Sequence, residues 1–308
     1  MLAPNPTGAL RARAGDCFVA KAADRVYCLP HVVNIGVQKA GTGELQTWLN
    51  AHPHMLVHGG EAHFFDRLQP PCHTPKQQAS LRLRYARFLW RRHRLDSKAV
   101  TGITFFEKTP AYFDMAEPRV VACAVPDAKL LLMLRMPVAR AISAYRMCQE
   151  ELNARWCTRS FDAVLAHALS SDQTPRLSPT LQRQMRRLLL MGQYAEHLHR
   201  WLVHFRPEQL GVIWVEQFKR DPFKCMDAMQ RFLALPSFDY RKIATRNAAG
   251  YWVVGKSKSS VRRASATALT HRANKTLHAF YEQSQHRLRT MLAQSNLTLV
   301  FEPPPPLR

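Results

Sequence analysis

The sequence predicts an α/β fold in which one parallel β-sheet is flanked by helices. Short apolar segments alternate with helix-like stretches, which is typical of a parallel sheet covered on both faces. A glycine-rich loop follows the first of these segments and leads into a helix, as in phosphate-binding proteins. The chain has 308 residues, 46% of them hydrophobic, so it can bury a large core. We therefore expect a single P-loop-like domain.

The predicted strands are short runs rich in aliphatic and aromatic residues. They cover Val32–Val37, Met55–Val57, Ile103–Phe106, Lys129–Leu134 and Leu210–Val215. Helices are predicted over Gly43–Asn50, Gln77–Arg92, Val138–Glu150, Phe161–Ala168, Leu181–Phe205 and Pro222–Leu235. Residues 1–29 are expected to form a basic leader of low order, residues 30–302 the folded domain, and residues 303–308 a proline-rich tail that cannot continue a helix.

The charge of the chain restricts its partners. Its 44 Lys and Arg residues against 22 Asp and Glu residues give a formal net charge of +22. Such a field attracts nucleic acid, anionic lipid headgroups or acidic polysaccharide. The alternative is that the charge serves solubility together with a basic leader.

No metal site is predicted. The seven cysteines contain no C-x-x-C pair, and the four histidines between residues 52 and 63 follow no metal-binding pattern. The odd number of cysteines leaves at least one thiol unpaired within the chain, and Cys148 and Cys157 are the only close pair. No segment reaches the length of a transmembrane helix, and the first residues lack the apolar core of a secretory signal. The chain as given is expected to be soluble, with no signal or anchor.

The stretch HVVNIGVQKAGTGELQTWLNAHP resembles a phosphate-binding loop with its lysine in an unusual place. Gly36 and Gly41 have the spacing of the two P-loop glycines. A nucleoside-triphosphate loop continues with Lys and Ser/Thr, whereas this chain continues with Thr42 and Gly43. The lysine, Lys39, lies inside the loop instead.

A second strand, loop and helix follow in KLLLMLRMPVARAISAYRM. Arg135 stands at the carboxyl end of the strand, where open α/β sheets bind ligands. Ser143 comes eight residues later, a little over two helical turns on. These groups could bind a second phosphate, or form a salt bridge and a helix surface. Two separate phosphates without a P-loop lysine fit 3′-phosphoadenosine 5′-phosphosulfate (PAPS), whose bridging oxygen Lys39 could reach as charge develops there.

Four motifs in order resemble those of the P-loop-like sulfotransferases, in particular the Golgi glycosaminoglycan branch. QKAGTGEL resembles the 5′-phosphosulfate loop, and LRMPVARAISAY resembles the 3′-phosphate motif. GGEAHFFD resembles the segment with the catalytic glutamate in heparan sulfate 3-O-sulfotransferases, and EKTPAYF resembles their substrate-cleft motif. The resemblance covers roughly residues 31 to 302. It implies the sulfotransferase fold and the Golgi lumen.

The resemblance also implies roles for individual residues. The 5′-phosphosulfate would be held by Lys39, Ala40, Gly41, Thr42, Gly43 and Glu44. The 3′-phosphate would be held by Arg135 and Ser143. The last cofactor loop would contribute Trp252, Lys256, Ser257 and Lys258. Two features depart from the family pattern: Met136 replaces an acidic or amide residue, and a cysteine pair around the last loop is missing.

An alcohol acceptor needs a carboxylate or imidazole to take its proton. Glu61 is a candidate general base because it follows a strand and a Gly-Gly turn at the sheet edge that also carries Lys39. His63 could orient or replace it, and Lys108 would face the acceptor. The alternatives are a solvated loop carboxylate for Glu61, and for Lys108 an ion pair with Glu107.

The sequence thus predicts sulfuryl transfer from PAPS to a hydroxyl of a carbohydrate, an acidic polysaccharide such as a glycosaminoglycan. Adenosine 3′,5′-bisphosphate (PAP) would be the product, and no metal would be required. A sulfotransferase for a small alcohol, phenol or peptide tyrosine is an alternative within the fold. Outside it are a P-loop kinase, which would need a Lys-Ser/Thr pair that this chain lacks, and a basic nucleic-acid-binding protein, for which no recognition motif is present.

Overall fold

A computed structural model describes most of the chain. The described residues are 2–3, 11–20, 25–68, 70–91, 95, 100–152, 155–169, 179–255 and 269–299. The predicted tail, residues 303–308, lies outside them, as do Lys256, Ser257 and Lys258.

The strands and helices alternate along the central part of the chain. The strands are β1 (Leu2–Ala3), β2 (Cys17–Ala20), β3 (Arg25–Cys28), β4 (Val32–Gly36), β5 (Met55–Val57), β6 (Thr104–Lys108), β7 (Lys129–Leu134), β8 (Leu210–Trp214), β9 (Ala244–Arg246), β10 (Trp252–Val254) and β11 (Thr298–Leu299). The α-helices are α1 (Thr42–Asn50), α2 (Pro75–Trp90), α3 (Tyr112–Met115), α4 (Pro118–Ala124), α5 (Pro137–Met147), α6 (Phe161–Leu169), α7 (Pro179–Leu190), α8 (Tyr194–Leu202), α9 (Val215–Arg220), α10 (Pro222–Leu233) and α11 (His271–Gln294).

A six-stranded parallel sheet forms the centre of the molecule. Its spatial order is β11-β8-β7-β4-β6-β5. All five predicted strands are in it, and their ends differ from the prediction by at most two residues. Leu130 to Leu134 of β7 are fully buried, as expected for a strand covered on both faces. The predicted fold class is confirmed.

Residues 17–28 differ from the predicted leader of low order. Strands β2 and β3 pair antiparallel, and a disulfide joins Cys17 to Cys28 across the pair. The indole Nε1 of Trp90 donates a hydrogen bond to the Cys28 carbonyl at 2.7 Å, and Phe18 is buried. The hairpin is ordered because side chains distant in sequence cover it, which local composition does not reveal.

Three disulfides are formed within the described residues. In addition to Cys17–Cys28 they join Cys72 to Cys123 and Cys148 to Cys157. The pair nearest in sequence is therefore bonded, while Cys72 and Cys123 are 51 residues apart. Cys225 is a free, buried cysteine, and its burial raises the pKa of its thiol.

The predicted helix Leu181–Phe205 is divided into α7 and α8. The break contains Gly192, where an added Cβ would lie 2.7 Å from the Tyr281 ring of α11. The chain turns there because Tyr281 packs against glycine backbone. Helix α11 was not predicted; only six of its 24 residues are buried, so its apolar stripe is thin. No helix in the described part of the chain is long and apolar enough to cross a membrane.

Candidate active site

The loop between β4 and α1 has the form of a phosphate cradle. Lys39 and Gly41 adopt left-handed backbone angles, with φ of 71° and 83°. Gly41 precedes the first turn of α1, whose N–H groups at Thr42 and Gly43 have no intrahelical acceptor. An added Cβ on Gly41 would lie 2.8 Å from Val215 Cγ2, whereas one on Gly43 would meet no atom within 4 Å. The loop therefore fits a phosphate: Gly41 is closely packed beneath it, and the start of α1 is open for an anion.

Arg135 joins this loop to the second predicted motif. Its Nη1 donates a hydrogen bond to the Lys39 carbonyl at 3.1 Å. Its own carbonyl accepts a hydrogen bond from the Tyr194 hydroxyl at 2.8 Å. Burial lowers the pKa of the Arg135 guanidinium, and the Glu216 carboxylate opposes this shift. The structure thus brings together Lys39 and Arg135, which are 96 residues apart in sequence.

Helix α9 supplies two charged residues that the sequence analysis missed. Glu216 Oε1 accepts a hydrogen bond from the Met136 backbone N–H at 3.1 Å. This contact holds the loop after β7, where Met136 departs from the family pattern. Lys219 is close enough to Arg135 and Glu44 to interact with both electrostatically; partial burial, and then Arg135, lower the pKa of Lys219. Both residues follow strand β8, and this position after a sheet strand could have identified them in the sequence.

The remaining predicted nucleotide-binding residues differ in their surroundings. Ser143 is half-buried on α5. Trp252 lies on β10, where the Arg246 guanidinium stands 4.6 Å from its ring centroid. The Glu44 carboxylate accepts a hydrogen bond from the Trp48 indole at 3.0 Å, and the Glu44 N–H bonds to the Gly41 carbonyl. One carboxylate oxygen and the N–H of Glu44 are therefore bonded locally, around the first turns of α1.

Glu61 is held between a lysine and a histidine. Lys108 Nζ lies 3.1 Å from Glu61 Oε1, and His63 Nε2 lies 3.2 Å from Glu61 Oε2. The Lys108 side chain is only 8% exposed, while that of Glu61 is 35% exposed. A buried ammonium thus faces a carboxylate that solvent can reach. The sequence left open an ion pair between Lys108 and Glu107. In the structure, Lys108 forms its ion pair with Glu61.

Asp66 completes this arrangement and was missed by the sequence analysis. Its Oδ2 lies 2.7 Å from His63 Nδ1, and its side chain is only 4% exposed. Since one imidazole nitrogen faces Asp66 and the other faces Glu61, the ring has a fixed orientation. In the sequence, the three-residue spacing from His63 to Asp66 could have indicated this pair.

A buried carboxylate, Glu107, lies one residue before Lys108. Its oxygens accept hydrogen bonds from the hydroxyls of Thr109 and Tyr85. Burial raises the pKa of Glu107 to about 7, and these hydrogen bonds oppose the rise. In the sequence, Glu107 was recognisable only as an ion-pair partner for Lys108.

These residues lie along one edge of the sheet. Carboxyl ends of parallel strands share an edge, so the order β5-β6-β4-β7-β8 sets the sequence of groups along it. Glu61 follows β5, Lys108 ends β6, Lys39 follows β4 and Arg135 follows β7. An anion-binding loop at the centre is thus flanked by a carboxylate on one side and a guanidinium on the other. These features define an α/β protein of the P-loop type.

Comparisons with known proteins identify the family. The sulfotransferase domain model matches residues 29–276. The chain is 32% identical over 229 residues to human bifunctional heparan sulfate N-deacetylase/N-sulfotransferase 3, covering 73% of this chain and 24% of that protein. It is 31% identical over 208 residues to mouse heparan sulfate glucosamine 3-O-sulfotransferase 3B1, covering 67% of this chain and 46% of the relative. The chain belongs to the sulfotransferase family.

The relatives are longer than the matched region. The chain spans less than half the length of these two curated relatives. A solved structure, the sulfotransferase from Alicyclobacillus acidocaldarius, is 24% identical, with a TM-score of 0.59 over 86% of this chain and 96% of that chain. That likeness supports the fold. No group of three or more His, Cys, Asp or Glu residues within the described ranges has a metal-binding arrangement.

Proposed function

We propose that this protein transfers the sulfuryl group of PAPS to a hydroxyl of an anionic carbohydrate, with Glu61 as the general base. The observation that carries the proposal is the placement of Glu61, between Lys108 and His63, on the same sheet edge as the loop joined to Arg135. This arrangement combines a base, a cation and a phosphate cradle within one edge.

The donor is assigned from the two halves of the phosphate site. Lys39 and the backbone from Ala40 to Gly43 would hold the 5′-phosphosulfate, and Arg135 with Ser143 would hold the 3′-phosphate. The fit is supported by the open first turn of α1 and by the guanidinium beside the loop. Trp252 would contact the nucleotide from β10. PAPS supplies the sulfuryl group, and the cationic loop would stabilise charge on the departing phosphate.

The acceptor hydroxyl is activated by Glu61. A carboxylate within reach of that hydroxyl takes its proton as the oxygen attacks. Lys108 Nζ holds one carboxylate oxygen of Glu61 at 3.1 Å. Asp66 and His63 hold the second carboxylate oxygen in place. Since the site offers its own cations and backbone dipoles, we propose that the reaction requires no metal.

The acceptor class is proposed from charge and relatives. The relatives are named for heparan sulfate, an anionic polysaccharide, and the chain carries a net charge of +22. The exposed Arg183 and Arg186 of α7 are available to an extended polyanion. Three disulfides suit an oxidising compartment. Together with the resemblance to the Golgi glycosaminoglycan branch, they support our proposal of the Golgi lumen.

Donor binding is tested by thermal shift. PAP should raise the Tm by about 5 °C at a hundredfold excess over its Kd, because a ligand that binds only the folded state stabilises it. ATP, which lacks the 3′-phosphate, should give a much smaller shift. Equal shifts with the two nucleotides would contradict the proposed donor site.

The base is tested by Glu61→Gln with labelled sulfate and heparan sulfate. The variant should bind PAP as the wild type does but lose about 100-fold or more of its turnover, because the amide cannot accept the proton. A panel with a neutral sugar, a phenol and a tyrosine peptide tests the alternative acceptors. Full activity of the variant would remove Glu61 from the mechanism, and faster transfer to the phenol or peptide would overturn the acceptor class.

A further inference from the structure

The loop that carries Glu61 is anchored by hydroxyl groups from the segment after β6. Thr109 Oγ1 accepts hydrogen bonds from the N–H groups of Ala62 at 2.9 Å and His63 at 3.3 Å. The Tyr112 hydroxyl accepts one from the Phe64 N–H at 3.1 Å. Three successive N–H groups that directly follow Glu61 are therefore fixed by two side chains.

The hydroxyl of Thr109 is oriented by Glu107. A hydroxyl has one proton to donate and two lone pairs to accept with. The Thr109 proton goes to Glu107 Oε1, which leaves the lone pairs for the loop. The other oxygen, Oε2, accepts a hydrogen bond from the Tyr85 hydroxyl at 3.1 Å, so the carboxylate is itself held from α2. Glu107 and Thr109 are completely buried.

We propose that Thr109, oriented by the buried Glu107, is a positioning residue that fixes Glu61 and His63 for proton abstraction. The proposal rests on the proposed function, since it assigns Thr109 a role through the general base. Thr109 directly follows Lys108, so one short segment places both the lysine that faces Glu61 and the hydroxyl that holds the Glu61 loop. A displacement of about 1 Å in such a site can cost about 100-fold in rate.

The first test compares Thr109→Val with Thr109→Ser. Valine keeps the shape of threonine but offers no acceptor to the loop, whereas serine retains the hydroxyl. Thr109→Val should lower kcat by about 100-fold and leave the affinity for PAP unchanged, because the donor loop follows a different strand. Thr109→Ser should restore most of the lost turnover. Similar losses in both variants, or a weaker affinity for PAP that accounts for the loss, would overturn the proposal.

The second test separates positioning from a general loss of structure. In a Glu61→Gln background, Thr109→Val should cause little further loss of turnover, because both changes act through the same carboxylate. An additional loss as large as the one in the wild-type background would contradict the inference. The Tm of each variant is measured alongside its turnover.

The third test does not depend on enzymatic turnover. Hydrogen exchange at the amides of Ala62 and His63 should be faster in Thr109→Val than in Thr109→Ser by about 10-fold or more, since both amides lose their acceptor. Unchanged exchange would refute the anchoring itself. If the wild type transferred sulfate to no acceptor, the proposed function would fail, while this comparison would still decide whether Thr109 anchors the loop.

Discussion

At the scale of single residues, burial disfavours the charged form of the Glu107 carboxyl, and the neighbouring groups only partly offset this effect. Burial raises the pKa of this carboxyl to about 7, while Thr109, Tyr85, Tyr112 and Lys108 favour its charged form. The folded state therefore holds a proton on Glu107 at pH values where the unfolded chain has lost it. Stability from this group is complete below pH 4.5 and is lost as pH rises through about 7.

Glu107→Gln should remove this pH dependence. Across the same interval, the wild-type free energy of unfolding should fall relative to that of the variant by about 3 kcal/mol, because glutamine has no proton to lose. Urea unfolding of both proteins at pH 4.5, 6, 7 and 8 measures the difference (values chosen to bracket a pKa of about 7). Parallel curves would show that Glu107 does not titrate in this range.

At the scale of elements, the start of α1 depends on Gly41. Its φ of 83° is disfavoured for residues with a side chain, and its position leaves no room beside Val215. Gly41→Ala should lower the free energy of unfolding by about 1 to 3 kcal/mol and weaken PAP binding, since the turn that presents the N–H groups must shift.

Gly43→Ala is the matched control for stability. An added Cβ there meets no atom within 4 Å, and the residue lies inside the helix, where alanine is favoured. We expect its free energy of unfolding to equal or exceed that of the wild type in urea denaturation. A Gly41→Ala protein as stable as Gly43→Ala would show that the loop tolerates a side chain at both positions.

The central strands could be predicted from sequence because covered parallel strands are continuous apolar runs, as in β7. The β2–β3 hairpin could not, since its order depends on Trp90 and a disulfide. The Lys39 and Arg135 loops each follow such a strand, so the positions of both loops were recognisable from the sequence. Thr109 could not be recognised, since it contacts the N–H groups of Ala62 and His63, 47 and 46 residues away, and those contacts exist only in the folded chain.

At the scale of the whole molecule, the net charge of +22 dominates the approach of a polyanion. Long-range attraction between exposed charges is screened by salt. The KM for heparan sulfate should therefore rise by at least about 10-fold between about 50 and 200 mM NaCl, as expected when several cations contact the ligand. A neutral sugar acceptor should show little change in KM. Equal salt dependence for the two acceptors would argue against the binding of an extended polyanion by several cations.

The strand order separates the residues proposed to activate the acceptor from those proposed to bind the donor. Glu61 lies in the loop after β5 and Lys108 at the end of β6, while the loops after β4 and β7 carry Lys39 and Arg135. The two sets of residues belong to different strands. Insertions and substitutions after β5 and β6 can therefore accumulate without disturbing the loops after β4 and β7. Under the proposed function, such an architecture would let a lineage exchange one acceptor for another while it keeps the same sulfuryl donor.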